Sequence, residues 1–304
     1  MELTPKHRPV LLREVLERLD PQPGEIHVDG TLGAGGHAAA ILSRLGSLGS
    51  LIGIDRDQEA LEIARPRLEA LGFPFHIVQG EYSKIGEHLQ LLGVSPEGAV
   101  DGLLLDLGVS SFQLDRSERG FSFLRDGPLD MRMSQGEGES ASEFLDRVTV
   151  EELGAILRNF GEERAAGRVA RAIDRARRKE RIQTTGRLAA IVEEVLPRRG
   201  RKIHPATRTF QGIRIAINKE LEHLRRVLRD LDRMVRPGGR VVVLSYHSLE
   251  DRIVKESFRE RVREGIYRWT LPNPLIPDAA EVEANPRSRS ARLRSVVREG
   301  KPLK

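Results

Sequence analysis

The feature that most constrains this chain is residues 24–37, Gly-Glu-Ile-His-Val-Asp-Gly-Thr-Leu-Gly-Ala-Gly-Gly-His. Residues 25–28 have the short, β-branched character of a buried strand, and an alanine-rich segment typical of a helix follows the motif. Between them, Gly33, Gly35 and Gly36 permit positive φ angles and let a ligand approach the backbone N–H groups. This order of strand, glycine turn and helix predicts a nucleotide-like ligand.

The acid ahead of the glycines constrains the identity of that ligand. Residues 33–38 satisfy the Gly-x-Gly-x-x-Ala form of the dinucleotide fingerprint, so an NAD-dependent oxidoreductase is one alternative. Asp29 ends the strand, where its carboxylate would repel a pyrophosphate and attract the cationic amino group of a methionine-derived ligand. Asp29 therefore favours S-adenosylmethionine over NAD. The structural alternative is a tight turn with a solvated Asp.

Composition restricts the class of protein. The chain has 304 residues, of which 39% are hydrophobic and 31% charged, as expected for one large soluble domain or two ordinary ones. Because no apolar segment is long enough to cross a bilayer, we expect a cytoplasmic protein that does not engage a membrane. The absence of cysteine excludes disulfides, and eight histidines without a His-x-x-x-His pair predict no metal site.

The net charge of +5 is unevenly distributed. Residues 164–214 carry a net charge of +11 and residues 285–304 one of +6, which leaves −12 for the rest. Two basic segments in an otherwise acidic chain favour a nucleic acid as partner, and solvated arginine-rich helix faces are the alternative. An aromatic content of 4% disfavours extended stacking platforms for single strands.

Polar residues follow the predicted second, third and fourth strands. Asp55 ends the second strand, Tyr82 follows the third, and Asp106 ends the apolar run 100–105. An acid about 20 residues past the glycines can hold the ribose hydroxyls of a bound nucleotide, so we predict Asp55 as the ribose anchor. Tyr82 either lies against an adenine ring or packs on the sheet. Strands that alternate with helices predict an α/β fold with a doubly wound, mostly parallel sheet.

The interval before the fifth strand, residues 240–245, predicts an inserted domain. More than 130 residues separate this strand from the fourth, whereas a βαβ crossover needs about 30. Helical patterns fill the interval, one of them starting at the capping box Thr149–Glu152 and another running as one helix over residues 206–235. The predicted domains are a discontinuous sheet domain, residues 1–112 and 212–304, and an inserted, all-helical, basic domain, residues 113–211.

Two predictions concern the residues after the fifth strand. Ser248 and Asp251 have the spacing of a capping box, and His247 just ahead of them is expected at the carboxyl edge of the sheet. Residues 288–298 alternate in the manner of an edge strand.

A series of motifs along the chain is similar to those of one known family. They are His7-x-Pro-Val-Leu-Leu12, Asp29 to His37, Asp106 to Asp115, Gly120 to Phe123, Asp130 to Met133, Arg208 to Gln211, Arg214 to Asn218, Ser245 to Arg252 and Asn285 to Arg294. With these motifs the chain resembles, over essentially its whole length, the RsmH (MraW) family of bacterial 16S ribosomal RNA cytosine-N4 methyltransferases. The resemblance implies a class I, Rossmann-like methyltransferase sheet with an inserted helical domain and S-adenosylmethionine as cofactor. It implies as substrate one cytosine of the decoding centre within the small ribosomal subunit. The oligomeric state stays open, with a homodimer among the alternatives.

The resemblance also implies a set of cofactor contacts. By similarity these fall on Gly35, Gly36, His37, Asp55, Tyr82, Asp106 and Gln113. His37 and Gln113 follow only from the resemblance, whereas the others, like Gly33, also stand out by their local setting.

Asp106 is the predicted catalytic residue. The lone pair of the cytosine amine is delocalised into the ring, so transfer to it needs an acceptor that holds one N–H. Other amino methyltransferases place Asp/Asn-Pro-Pro-aromatic at the end of the fourth strand, where this chain has Asp106-Leu-Gly-Val. We therefore expect Asp106 beside the reacting centre, with His247 or Ser110 as a second polar contact.

Basic residues ahead of the long helix are predicted to line the RNA path. They are Arg198, Arg199, Arg201, Lys202 and Arg208. Their contacts with the RNA backbone would offset the few kcal/mol that turning a base out of its stack costs. A non-catalytic RNA-binding protein with a vestigial ligand pocket is the alternative to an enzyme.

Overall fold

The structure is a computed structural model that describes residues 9–196 and 203–300. The chain forms two compact units, the first made of Met1–Gly108 with Leu221–Lys304 and the second of Val109–Glu220. The segment predicted as the insertion, residues 113–211, lies inside the second unit. That this unit recognises RNA stays a prediction.

A seven-stranded sheet forms the centre of the first unit. Its strands are β1 (Ile26–Asp29), β2 (Ser50–Asp55), β3 (Phe75–Gln79), β4 (Val100–Asp106), β5 (Val235–Ser245), β6 (Tyr267–Trp269) and β7 (Arg292–Arg298). They lie in the order β3-β2-β1-β4-β5-β7-β6, with β1 to β5 mutually parallel and β7 antiparallel to both of its neighbours. The predicted mostly parallel sheet is confirmed. Its topological switch point lies between β1 and β4, and ligands of such sheets bind at the carboxyl ends of the strands there.

The helices before the insertion connect the first four strands. They are α1 (Leu12–Leu19), α2 (Gly36–Leu45), α3 (Gln58–Glu69) and α4 (Ile85–Leu91). The α3 helix continues through Pro66.

The second unit has a helical core of its own. Its helices are α5 (Ser111–Asp115), α6 (Ala141–Arg147), α7 (Val150–Asn159), α8 (Ala166–Arg177), α9 (Thr185–Val195) and α10 (Thr207–Asn218). Leu157, Val169, Leu188 and Phe210, from four of these helices, pack together in this core. The predicted capping box Thr149–Glu152 is confirmed at the start of α7.

The single helix predicted over residues 206–235 is wrong. Lys219 follows α10 with a φ of +51°, a left-handed conformation that a right-handed helix cannot continue. The side-chain amide of Asn218 donates to two backbone carbonyl groups of the second unit, which fixes the end of α10. The helices after this break are α11 (Glu220–Arg229), α12 (Leu231–Met234), α13 (Ser248–Arg263) and α14 (Ala279–Ala284).

The C-terminal part of the sheet also differs from the prediction. The β7 strand lies between β5 and β6, so the short β6 is the edge strand. The capping box predicted for Ser248 is wrong, because His247 is the N-cap of α13 and accepts from the Glu250 N–H. The Asp251 carboxylate instead pairs with Arg294 at 2.7 Å.

Helices cover both faces of the sheet in the first unit. Leu103 and Leu105 of β4 pack with Val227 of α11, whereas Leu104 between them packs with Leu42 of α2. Consecutive strand residues face opposite sides of a sheet, so the run Leu103 to Leu105 buries leucines on both faces. In the described ranges no helix is both long and apolar enough to cross a membrane.

Candidate active site

Three aspartates meet at the carboxyl edge of the sheet. Asp29, Asp55 and Asp106 end β1, β2 and β4, which are neighbours in the order β2-β1-β4. The charges of Asp106 and Asp55 both raise the pKa of Asp29, although burial of Asp29 is the larger cause. Three acids at one edge favour a cationic ligand group and repel a pyrophosphate.

The glycine turn leaves room for a ligand at one position. Gly33 has a φ of +50°, and a Cβ there would meet only the Thr31 carbonyl oxygen, 3.8 Å away. Gly35, with a φ of +75°, is the N-cap of α2, and a Cβ on Gly36 would come within 2.6 Å of Pro9 Cγ. The backbone at Gly33 is therefore open to a ligand, whereas Gly36 is required for packing.

The Asp55 carboxylate organises the same turn. Its Oδ2 accepts a hydrogen bond of 2.7 Å from the Gly33 N–H and its Oδ1 one of 3.0 Å from the Asp57 N–H. Burial raises the pKa of Asp55, and these N–H donors oppose the shift. Asp57 caps α3 through the Glu59 N–H. Because each carboxylate oxygen has two lone pairs, Asp55 retains acceptor capacity for the hydroxyls of a ribose.

Asp29 is a buried carboxyl group with an exposed fraction of 1%. Its Oδ1 accepts from the Thr31 N–H at 3.1 Å. Burial, with some help from the neighbouring acids, raises its pKa to about 7. The alternative of a tight turn with a solvated Asp is thereby excluded.

Asp106 is held on three sides. Its backbone N–H donates to Thr31 Oγ1 at 2.6 Å, the Tyr246 hydroxyl donates to its Oδ1 at 2.7 Å, and His37 Nδ1 lies 3.5 Å from its Oδ2. Its side chain is still 26% exposed. Asp106 is therefore oriented and accessible at once.

His37, in the first turn of α2, contacts Asp106 in a defined orientation. Its Nε2 lies 3.0 Å from the Val10 carbonyl oxygen. A carbonyl can only accept, so Nε2 carries a proton and Nδ1 is the atom that faces Asp106.

Tyr82 follows β3 in a short 3-10 turn and packs on the sheet. A Cβ on Gly30 of the loop after β1 would lie 3.1 Å from Tyr82 Cβ, and the Tyr82 ring makes an edge contact with His223. His223 is fixed in turn, with Nδ1 2.9 Å from Ser83 Oγ and Nε2 3.4 Å from Glu81 Oε1. Tyr82 has the packing role that the sequence left open, and its contact with an adenine ring stays a prediction.

The other predicted site residues have local roles in the fold. His247 caps α13, and its Nε2 lies 3.2 Å from Glu250 Oε1. Ser110 and Gln113 belong to the second unit, where they form the capping box of α5. Within the first unit, the structure therefore brings together Gly33, Gly35, Gly36, His37, Asp55 and Asp106.

Of the predicted RNA-binding residues, one lies in the described part of the chain. Arg208 is half-buried in the first turn of α10, and a Cβ on Gly161 would collide with its backbone carbonyl. The other four, Arg198, Arg199, Arg201 and Lys202, lie outside the described residues.

Thr31 and Tyr246 were not among the site residues predicted from the sequence. Tyr246 directly follows β5, the neighbour of β4 in the sheet. Because carboxyl ends of neighbouring parallel strands share an edge, a survey of polar residues after every strand would have found it.

Comparison with known proteins gives matches that run through both units. The model of a family described as the MraW methylase family matches residues 4–299. The Ribosomal RNA small subunit methyltransferase H of Trichlorobacter lovleyi is 46% identical, covering 97% of this chain and 98% of its own. The protein of the same name from Geobacter sulfurreducens is 47% identical, with coverages of 96% and 99%. A SAM-dependent methyltransferase of known structure from Aquifex aeolicus superimposes with a TM-score of 0.42 at 10% identity, covering 95% of this chain and 89% of its own.

Proposed function

This chain belongs to the MraW methylase family, and from that premise we propose that it methylates the N4 amine of a cytosine in 16S ribosomal RNA. The methyl donor is S-adenosylmethionine, and the cytosine lies in the decoding centre of the small ribosomal subunit, in the cytoplasm. The proposal holds for a monomer and for a homodimer. The observation that carries the chemistry is the accessible Asp106 carboxylate, oriented by Tyr246 at the edge that also holds the glycine turn.

The residues at this edge fit the proposed cofactor. S-adenosylmethionine, when bound, supplies an electrophilic methyl group on a sulfonium. The open backbone at Gly33 and the spare lone pairs of Asp55 suit its nucleoside part. The acidic edge suits its positive charges, and the same acids disfavour the pyrophosphate of NAD.

Asp106 binds the amine that receives the methyl group and accepts its proton. Each carboxylate oxygen has two lone pairs, so beside its contacts with Tyr246 and His37 the exposed side of Asp106 accepts one N–H of the cytosine amine and turns the nitrogen lone pair toward the methyl group. The bound cofactor would give up its methyl group to the amine nitrogen and keep the electron pair of the C–S bond on its sulfur. Positive charge develops on the amine, and Asp106 stabilises it and takes the proton. The exposed side of Asp106 passes this proton to solvent.

The second unit supplies the contacts with RNA. The stretch with a net charge of +11, residues 164–214, falls within its bounds. The five basic residues identified in the sequence, Arg208 among them, bind backbone phosphates.

Methylation of small subunits isolated from cells that lack this protein tests the proposal. With labelled cofactor and mass-spectrometric mapping of the RNA, we expect one N4-methylcytosine in the decoding centre. Asp106→Asn should slow single-turnover methylation by roughly a hundredfold or more, because it removes the anionic acceptor. Asp278→Asn, at the exposed cap of α14, is the matched control. A methyl group on another atom or base would contradict the proposed substrate.

A further inference from the structure

A cavity of about 360 Å³ lies at the start of α8 in the second unit. Its lining residues are Glu163, Arg164, Ala165, Gly167, Arg168 and Arg171. All three arginines are exposed, and their guanidinium groups make no ion pair or hydrogen bond with any other residue in the described part of the chain. Three uncompensated cations around one cavity predict an anionic ligand.

The geometry of the helix start strengthens this expectation. The N-cap of α8 is Ala165, whose side chain cannot accept a hydrogen bond. A Cβ on Gly167 would lie 3.5 Å from Arg171 Nη1, so this guanidinium folds back over the first turn of the helix. The N-terminal end of a helix already carries partial positive charge. The Glu163 carboxylate is the one acidic group among the lining residues, against three arginines, so the cavity favours a further anion.

The buried side chain of Glu163 places a second requirement on the ligand. It is only 2% exposed, and its Oε1 accepts from the Ala165 N–H at 2.8 Å. Its Oε2 is buried without a hydrogen-bond partner among the described residues. A buried carboxylate oxygen without a donor is costly. The ligand must therefore bring a hydrogen-bond donor next to its anionic group.

We propose that this cavity binds one ribonucleotide unit of RNA. The arginines bind the phosphate, and the ribose 2′-hydroxyl donates to Glu163 Oε2. The backbone carbonyl of Arg208, a residue proposed above to bind RNA, lies beside Gly161, two positions before Glu163 in the chain. The inference rests on the proposed function and adds a site that distinguishes RNA from DNA by its 2′-hydroxyl.

Binding of a fluorescent single-stranded RNA and of the all-deoxy oligonucleotide of the same sequence, over a salt series, tests the site. We expect the double variant Arg168→Gln, Arg171→Gln to bind the RNA at least roughly tenfold more weakly. The slope of log K against log salt should fall by about 0.7 for each lost phosphate contact. Arg175→Gln, an exposed arginine of α8 outside the cavity, is the matched control.

Glu163→Gln tests the sugar contact, since it keeps an acceptor for the Ala165 N–H and replaces Oε2 by a donor. We expect it to reduce the preference for RNA over DNA by roughly tenfold and to leave binding of the deoxy strand unchanged. Equal binding of both strands by the wild type, or a double variant that behaves like Arg175→Gln, would overturn the proposal. Methylation of small subunits by the same wild-type preparation separates the two hypotheses. If the wild type methylates small subunits but the variants bind RNA as the wild type does, the result contradicts only the proposed nucleotide site. If the wild type does not methylate small subunits, the result contradicts the proposed function.

Discussion

The Tyr246 hydroxyl donates a hydrogen bond of 2.7 Å to Asp106 Oδ1, although the two residues are 140 positions apart in the chain. The bond joins the ends of the adjacent strands β5 and β4. Burial, followed by the charge of Asp106, raises the pKa of Tyr246 well above its ordinary value. Tyr246 therefore stays protonated as a donor and selects one orientation of the carboxylate.

Removal of this hydroxyl should slow methyl transfer. In Tyr246→Phe the Asp106 carboxylate loses a hydrogen bond that holds it in place, so we expect kcat to fall roughly tenfold. The affinity for S-adenosylmethionine should change little. Single-turnover methylation at saturating cofactor measures the effect. Tyr267→Phe, which removes a buried hydroxyl from edge strand β6, is the control, and equal rates for both variants would contradict the role of Tyr246.

Asp55→Asn should weaken cofactor binding. The amide of the substituted Asn places its NH₂ group against one of the two backbone N–H groups that donate to Asp55. One of the two hydrogen bonds that hold the turn at Gly33 is therefore lost. We expect the Kd for S-adenosylmethionine to rise by at least roughly tenfold, measured by isothermal titration calorimetry. Asp57→Asn is the matched control, since Asn caps a helix about as well as Asp. An unchanged Kd in Asp55→Asn would remove Asp55 from the site.

The pKa of Asp29 predicts a dependence of stability on pH. In the unfolded chain this carboxyl has a pKa of about 4, and in the folded protein its pKa is about 7. Between these values the folded state holds a proton that the unfolded state lacks, so stability falls as pH rises, and the loss is complete above the folded pKa. Asp29→Asn removes this titration.

Urea unfolding at about pH 5 and about pH 8 measures that difference. Relative to Asp29→Asn, the wild type should lose roughly 2 to 3 kcal/mol of unfolding free energy between the two values. Asp20→Asn removes an exposed carboxylate and should keep the wild-type dependence. Parallel pH profiles for wild type and Asp29→Asn would show that Asp29 ionises normally.

His247 can be tested separately as a helix cap and as a contact of the substrate. His247→Ala removes the acceptor for the Glu250 N–H and should lower the unfolding free energy by about 1 kcal/mol. His247→Asn restores a capping acceptor and should restore stability. If His247 also contacts the amine, methylation by the Asn variant stays roughly tenfold slow. Full recovery of the methylation rate in His247→Asn would show that His247 acts only as the helix cap.

Much of the sheet could be predicted from the sequence because its signals are local. Residues 100–105 are apolar except for Asp101 and are followed by Asp106, and the observed strand β4 occupies the same positions. Asp29, Asp55 and Asp106 could be placed at one edge because parallel strands have aligned carboxyl ends. The apolar segment was sufficient to predict the strand, and the alignment of strand ends was sufficient to predict which aspartates share an edge.

Other features depend on contacts that no local pattern records. The apolar periodicity of residues 206–235 continues through Lys219, whose left-handed backbone has no signal in the residue type. The β6 strand has three residues, too few for a periodic signal. The pairing of Tyr246 with Asp106 requires the order of the strands, which the inserted unit obscures along the chain.

The position of the second unit between β4 and β5 sets the order in which a nascent chain can fold. Residues 109–220 leave the ribosome before β5 does, and at ordinary elongation rates this takes on the order of ten seconds. A β4 strand that had already paired with β1 would keep one unpaired edge until β5 emerged, and an unpaired edge promotes aggregation. The second unit has its own core and can fold during the delay, whereas the sheet is completed only after β5, β6 and β7 have been synthesised.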